Sequence, residues 1–310
     1  MSTTLRARPH SPRWRDVVLA HRLEYPFPLR YLCYALWGAC YVATRPAELV
    51  RLPVLLAVLA NLVQIMALNM LNTAVDVRTD ARNPGKSAVA RAALRIGPAR
   101  AAVLAGVELA VGLLLAGMVV ALTGHWLVAA AAALVAALHL LYNVEPVRLK
   151  RRAPANPLAL GLSVGFLPCL VSAGAVRALP GGPAWLVFAG FGVLVAGRAL
   201  WWSVPDRAAD AAAGLMTPPA RFGGRATIDA SGVLTGGALA LLGAGLALRY
   251  GAAVATVGTA ATAAASAGVL ALLYRYRAQA PPSARHLRTH VMPLLLTADL
   301  LLVALPLAGG

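Results

Sequence analysis

The sequence predicts an all-α, polytopic membrane protein of about nine spanning helices. Three observations carry this. Hydrophobic residues make up 60% of the 310 and charged residues only 13%, about half the roughly 25% usual in soluble chains. The apolar residues fall into runs near the length of about 20 residues that a bilayer core requires. The basic residues gather in alternate connections between those runs.

Nine runs lie near residues 27–44, 52–72, 101–123, 125–143, 156–176, 183–202, 232–249, 251–274 and 290–308. Ala, Gly, Leu and Val dominate them, and small residues let membrane helices approach closely. With the N-terminus inside, the inside connections carry Arg78, Arg82, Lys86, Arg91, Arg95 and Arg100, then Arg148, Lys150, Arg151 and Arg152. They continue with Arg207, Arg221 and Arg225, then Arg275, Arg277, Arg285 and Arg288, whereas the outside ones hold only Arg45, Arg51, Arg177 and Arg249. That bias is the positive-inside pattern. It predicts a cytoplasmic N-terminus, an external C-terminus and a multi-pass protein of a bacterial-type plasma membrane. The inside connections 73–100 and 203–231 are also the long polar ones, so function is expected on that face.

Residues 1–25 read as a basic cytoplasmic segment, with Arg6, Arg8, Arg13 and Arg15 and no signal-peptide core. Residues 26–310 read as a single membrane-embedded domain. The net charge of +17 is scattered through short loops, which argues against nucleic-acid binding. Cys33, Cys40 and Cys169 all sit in apolar runs without a CxxC pair, as small buried hydrophobes do.

Only eleven residues are acidic. Four form two pairs at i, i+4 spacing, Asp76 with Asp80 and Asp206 with Asp210, each at the inner end of a predicted helix. At about 100° per residue, Asn69, Asn72, Asp76 and Asp80 fall within an arc of about 80°, a polar stripe running out of the membrane. Ser203, Asp206 and Asp210 repeat the spacing. Carboxylates and amide oxygens are hard ligands suited to Mg²⁺, which takes one or two protein carboxylates and fills its shell with water and phosphate oxygens. Two such stripes facing each other would hold a diphosphate through bridging ions. The plain alternative is that the acids balance loop arginines. Two matched pairs in a chain this poor in acids favour function, because polar groups at membrane depth are rare and usually functional.

A basic run, Tyr142 to Arg152, ends the fourth predicted helix. Arg148 and Lys150 in it, and Arg22 before the first helix, suit diphosphate oxygens, although topology alone also explains basic groups there. Glu108, His139, Arg198 and Asp299 lie inside apolar runs. Arg198, two turns before Asp206, is expected to face the diphosphate; Asp299 and Glu108 are expected to pair with basic residues as structural glue.

These motifs resemble the UbiA superfamily of membrane prenyltransferases over almost the whole chain. Asn72, Asp76 and Asp80 match the family's first Asp-rich motif, and Asp206, Asp210, Gly214 and Thr217 its second. Tyr142, Pro146, Arg148, Lys150 and Arg151 match its basic stretch, and Arg22 stands where the family places a diphosphate-binding arginine. The resemblance implies a nine-helix bundle around a central cavity, open to the cytoplasm and to lipid, with two Mg²⁺ ions above it. Asn72, Asp76, Asp80, Asp206 and Asp210 would be the metal-binding catalytic set. Thr73 and Ser203 depart from the pattern by replacing Asp, and Glu145 replaces a small residue or proline.

The expected activity is Mg²⁺-dependent transfer of an isoprenyl group from a prenyl diphosphate to an aromatic or other lipophilic acceptor, with no obligatory protein partner. A terpene cyclase on the same scaffold is the alternative enzyme. A transporter using the intramembrane charges is the alternative from another class, and it leaves the two matched acidic motifs unexplained.

Overall fold

Every predicted apolar run is helical in a computed structural model that describes residues 13–275 and 281–308. Arg6, Arg8 and Arg277 lie outside the described residues. Within them there is no strand, only an isolated bridge between Arg152 and Met216. Among the described residues, eight helices are long and apolar enough to cross a membrane: α3 (Leu52–Val75), α6 (Pro98–Thr123), α7 (Trp126–Asn143), α8 (Ala155–Gly174), α9 (Gly182–Ser203), α12 (Gly224–Tyr250), α13 (Ala252–Arg275) and α14 (Ala284–Ala308). The first predicted run forms α2 (Phe27–Val42), whose 16 residues extend about 24 Å, short of a hydrocarbon core of about 30 Å.

Two helix starts differ from the predicted runs for one reason. Helix α12 starts at Gly224 and α14 at Ala284, ahead of their apolar runs. Arg225, Asp229, Arg285 and Arg288 occupy the first two turns of these helices, so the helix continues where hydropathy falls. The long polar connections also hold short helices: α4 (Val77–Asp80), α5 (Ser87–Ile96), α10 (Arg207–Ala212) and α11 (Pro218–Phe222). Ahead of α2 lies α1 (Trp14–Ala20). It packs on α5, where Asp16 accepts from Arg95 Nε at 2.9 Å.

Close helix contact is built on small residues. A Cβ on Gly38 of α2 would fall 1.8 Å from the Cys169 carbonyl oxygen of α8, so only glycine permits that approach. The core they enclose is mostly aliphatic, with an aromatic stack in which Trp37 lies on Phe191 with ring centroids 3.8 Å apart. Cys33, Cys40 and Cys169 are free and buried. Up-and-down connectivity places the last turns of α3, α7 and α9 and the first turns of α8, α12 and α14 at one end of the bundle, with the short helices between them.

Candidate active site

The two acidic motifs meet at that end. Helix α3 stops at its C-cap, Asp76, yet the Asp80 amide still donates to the Asp76 carbonyl at 2.8 Å, so the polar stripe continues across the break. Helix α9 ends in a tight turn, Val204–Asp206, before α10 carries Asp210. Pro205 cannot donate within the helix, and its position explains the break.

Basic groups fill the space between the motifs. Lys150 forms an ion pair with Asp76 and donates to Asn72 Oδ1 at 2.9 Å. Arg148 donates to Asp76 Oδ1 at 3.0 Å. Lys86 lies 3.6 Å from Asp80 and 2.7 Å from Asp206, so one ammonium touches both motifs. Asn83 donates to the other Asp206 oxygen at 2.8 Å, and Thr217 donates to Asp210 at 2.9 Å. Arg22, Asn72, Lys86, Lys150, Asp206 and Asp210 line one cavity of about 140 Å³.

Charge states follow from these neighbours. Burial pushes the Asp76 carboxyl up, but the Lys150 ammonium overrides it and holds the group below its ordinary range. Burial wins at Asp80, whose pKa is raised despite Lys86. Burial opposes the charge of Lys150, and Asp76 more than restores it, so the lysine stays cationic.

The donor set fits a hard divalent cation in part. Asp80 Oδ2 is buried without a hydrogen-bond partner, and the remaining candidates are carboxylate or amide oxygens. Among the described residues no three acidic, His or Cys side chains cluster closely enough to complete a metal shell. A metal held here draws its other ligands from water or a bound anion, as Mg²⁺ commonly does.

The model of the UbiA prenyltransferase family matches residues 31–292. The chain belongs to that family. No curated protein matches the sequence significantly. Among solved structures it is similar to a UbiA homolog from Archaeoglobus fulgidus bound to GPP and Mg²⁺. That likeness has a TM-score of 0.74 and 16% identity over 94% of this chain and 98% of that one. A UbiA homolog from Aeropyrum pernix K1, in its apo form, gives a TM-score of 0.70 and 24% identity over 91% and 97%. These likenesses show the UbiA fold; the eight apolar helices and the family match mark an integral, multi-pass membrane protein.

Within that fold Arg198 is placed differently from expectation. It does not line the cavity between the acidic motifs. Its Nη1 donates to Asp299 at 2.7 Å, and Arg30 Nε donates to the other Asp299 oxygen at 2.9 Å. All three are buried. A second cavity, lined by Tyr31, Tyr34, Arg198, Trp201 and Trp202, shares Leu160, Ala199 and Trp202 with the first, so an aromatic chamber lies directly beneath the acidic site. Glu108 accepts from His21 at 2.6 Å, and Glu145 pairs with Arg148 and Arg151 at the surface.

Sequence reasoning passed over Asn83 and Lys86, counting the lysine only toward topology. The available signal was the Asn83-Pro-Gly-Lys86 turn just after Asp80, in which Asn83 Oδ1 accepts from the Gly85 amide and turns the lysine back over the site.

Proposed function

We propose that this UbiA-family protein transfers an isoprenyl group from a prenyl diphosphate to an aromatic or other lipophilic acceptor, inside the membrane and with Mg²⁺. The observation that carries the reading is the meeting of two aspartate motifs on Lys86, above an aromatic chamber. The GPP and Mg²⁺ in the Archaeoglobus fulgidus relative support it.

Asn72, Asp76, Asp80, Asp206 and Asp210 would hold Mg²⁺. When bound, the metal neutralises the diphosphate and makes it a better leaving group. Arg22, Arg148 and Lys150 grip diphosphate oxygens, with Lys86 beside them; arginine does so through a fork of donors and lysine as a point charge. The substrate's allylic C–O bond breaks and its electron pair leaves with the diphosphate oxygen. The acceptor supplies the pair for the new bond to carbon and then loses a proton. Phe27, Tyr31, Tyr34, Trp201 and Trp202 line the chamber; their faces exclude water and stabilise the transient cation. The arginine-rich end would face the cytoplasm.

Product analysis tests this. Membranes holding the protein are given prenyl diphosphates of several lengths, with and without aromatic acceptors. Prenylated acceptor is the expected product. A cyclic hydrocarbon formed without acceptor would replace transfer by cyclisation, and no Mg²⁺-dependent consumption of any prenyl diphosphate would overturn both.

A further inference from the structure

Thr73 stands where the family's first motif usually has Asp, and its side chain turns away from the diphosphate cavity. It is 1% exposed, and its Oγ1 donates to the Ala20 carbonyl at 2.9 Å. Asn69, one turn earlier on the same face of α3, donates to the next carbonyl, that of His21, at 3.2 Å, and to the Tyr31 hydroxyl at 3.0 Å. The two carbonyls immediately before Arg22 are thus both captured by α3. From the other side, the His21 ring is fixed by Glu108 of α6.

The residue after this clamp is strained. Arg22 has φ +54°, a left-handed conformation that a non-glycine residue holds only where its surroundings impose it. Its Nε is buried without a partner, and the side chain lines both the cavity between the motifs and the neighbouring one toward α14.

We infer that Thr73, with Asn69, is a positioning residue that holds Arg22 in place to bind diphosphate. The inference rests on the proposed role of Arg22. The departure from Asp then has a chemical reason. A carboxylate has no proton to give the Ala20 carbonyl and would repel it, whereas a hydroxyl donates. The lost carboxylate is exchanged for a clamp on the opposite, cationic half of the site.

The test titrates inorganic diphosphate, at saturating Mg²⁺, into the detergent-solubilised full chain. Arg22→Ala should weaken binding. Thr73→Val, which keeps shape and removes the donor, should raise the dissociation constant about three- to tenfold, the scale of one hydrogen bond. Thr73→Ser should bind like the wild type, and Thr73→Val should add nothing in an Arg22→Ala background. Asn69→Ala should show the same dependence on Arg22, and it answers the question if Thr73→Val does not fold. Wild-type binding by both Thr73→Val and Asn69→Ala, or equal weakening with and without Arg22, overturns the inference while leaving Arg22 as a ligand. Wild-type binding by Arg22→Ala overturns the reading of Arg22 and the inference with it.

Discussion

Lys86 donates to Asp206 across 2.7 Å, joining positions 120 residues apart. The same ammonium is 3.6 Å from Asp80, so it neutralises one carboxylate of each motif. Lys86→Met should therefore weaken prenyl diphosphate binding by about 1–2 kcal/mol, the scale of a lost charge-assisted hydrogen bond. The dissociation constant of a prenyl diphosphate in Mg²⁺ measures it; an unchanged value would make Lys86 only a spacer between the acids.

Arg148 raises a sharper question, because topology alone explains a basic residue there. Arg148→Lys keeps the charge and loses the fork. It should insert normally yet bind prenyl diphosphate more weakly, by about 1–2 kcal/mol. Wild-type binding and turnover would assign Arg148 to topology and leave the grip to Arg22, Lys150 and the metal.

Asp299 carries two guanidiniums in the bundle interior. Removing one member of a buried ionic cluster leaves charge uncompensated and costs about 3–5 kcal/mol. Asp299→Ala should lower the melting temperature in detergent sharply. A variant as stable as the wild type would contradict the structural role given to the Arg30–Asp299–Arg198 cluster.

The Asp16–Arg95 pair sets how α1 responds to acid. The Arg95 hydrogen bond holds the Asp16 carboxyl below its ordinary range, so the folded value lies under the unfolded one. The pair's stabilisation is complete above the unfolded carboxylate value of about 3.9 and fades as pH falls through the folded value. Asp16→Asn should thus be less stable than the wild type at neutral pH, and the gap should close in acid. Thermal melts at pH 7 and at a series of pH values below about 3.9 check it; a gap that does not narrow as the pH falls would show another origin.

Orientation is testable with reporters inserted in the loop after Arg152 and in the turn at Gly124. The positive-inside pattern predicts a cytoplasmic signal from the first and an external one from the second. The reverse would place the acidic site on the outer face.

The helices were legible because apolar runs and alternating basic loops record the bilayer directly. Helix spacing also brought Asp76 to Asp80 and Asp206 to Asp210, since i, i+4 geometry is local. Contacts between elements were not legible. Nothing in the sequence pairs Lys86 with Asp206 or Arg198 with Asp299, because a charge pattern records which groups exist and not which meet. Asp299 attracted Arg198 deeper into the bundle, whereas spacing from Asp206 alone pointed it at the diphosphate. Thr73 read as a lost ligand because its partner, the Ala20 carbonyl, belongs to a short helix that hydropathy does not reveal.

The central claim is that both aspartate motifs act on one prenyl diphosphate. Release of inorganic diphosphate from geranyl diphosphate, followed in membranes with a lipophilic acceptor present, tests it most directly. The wild type should release diphosphate with Mg²⁺, stop with EDTA and recover when Mg²⁺ is restored. Asp76→Ala and Asp206→Ala should each insert normally and lose at least about a hundredfold in rate, the scale of removing a group that stabilises charge in the transition state. Near-wild-type release by either variant would contradict a shared site.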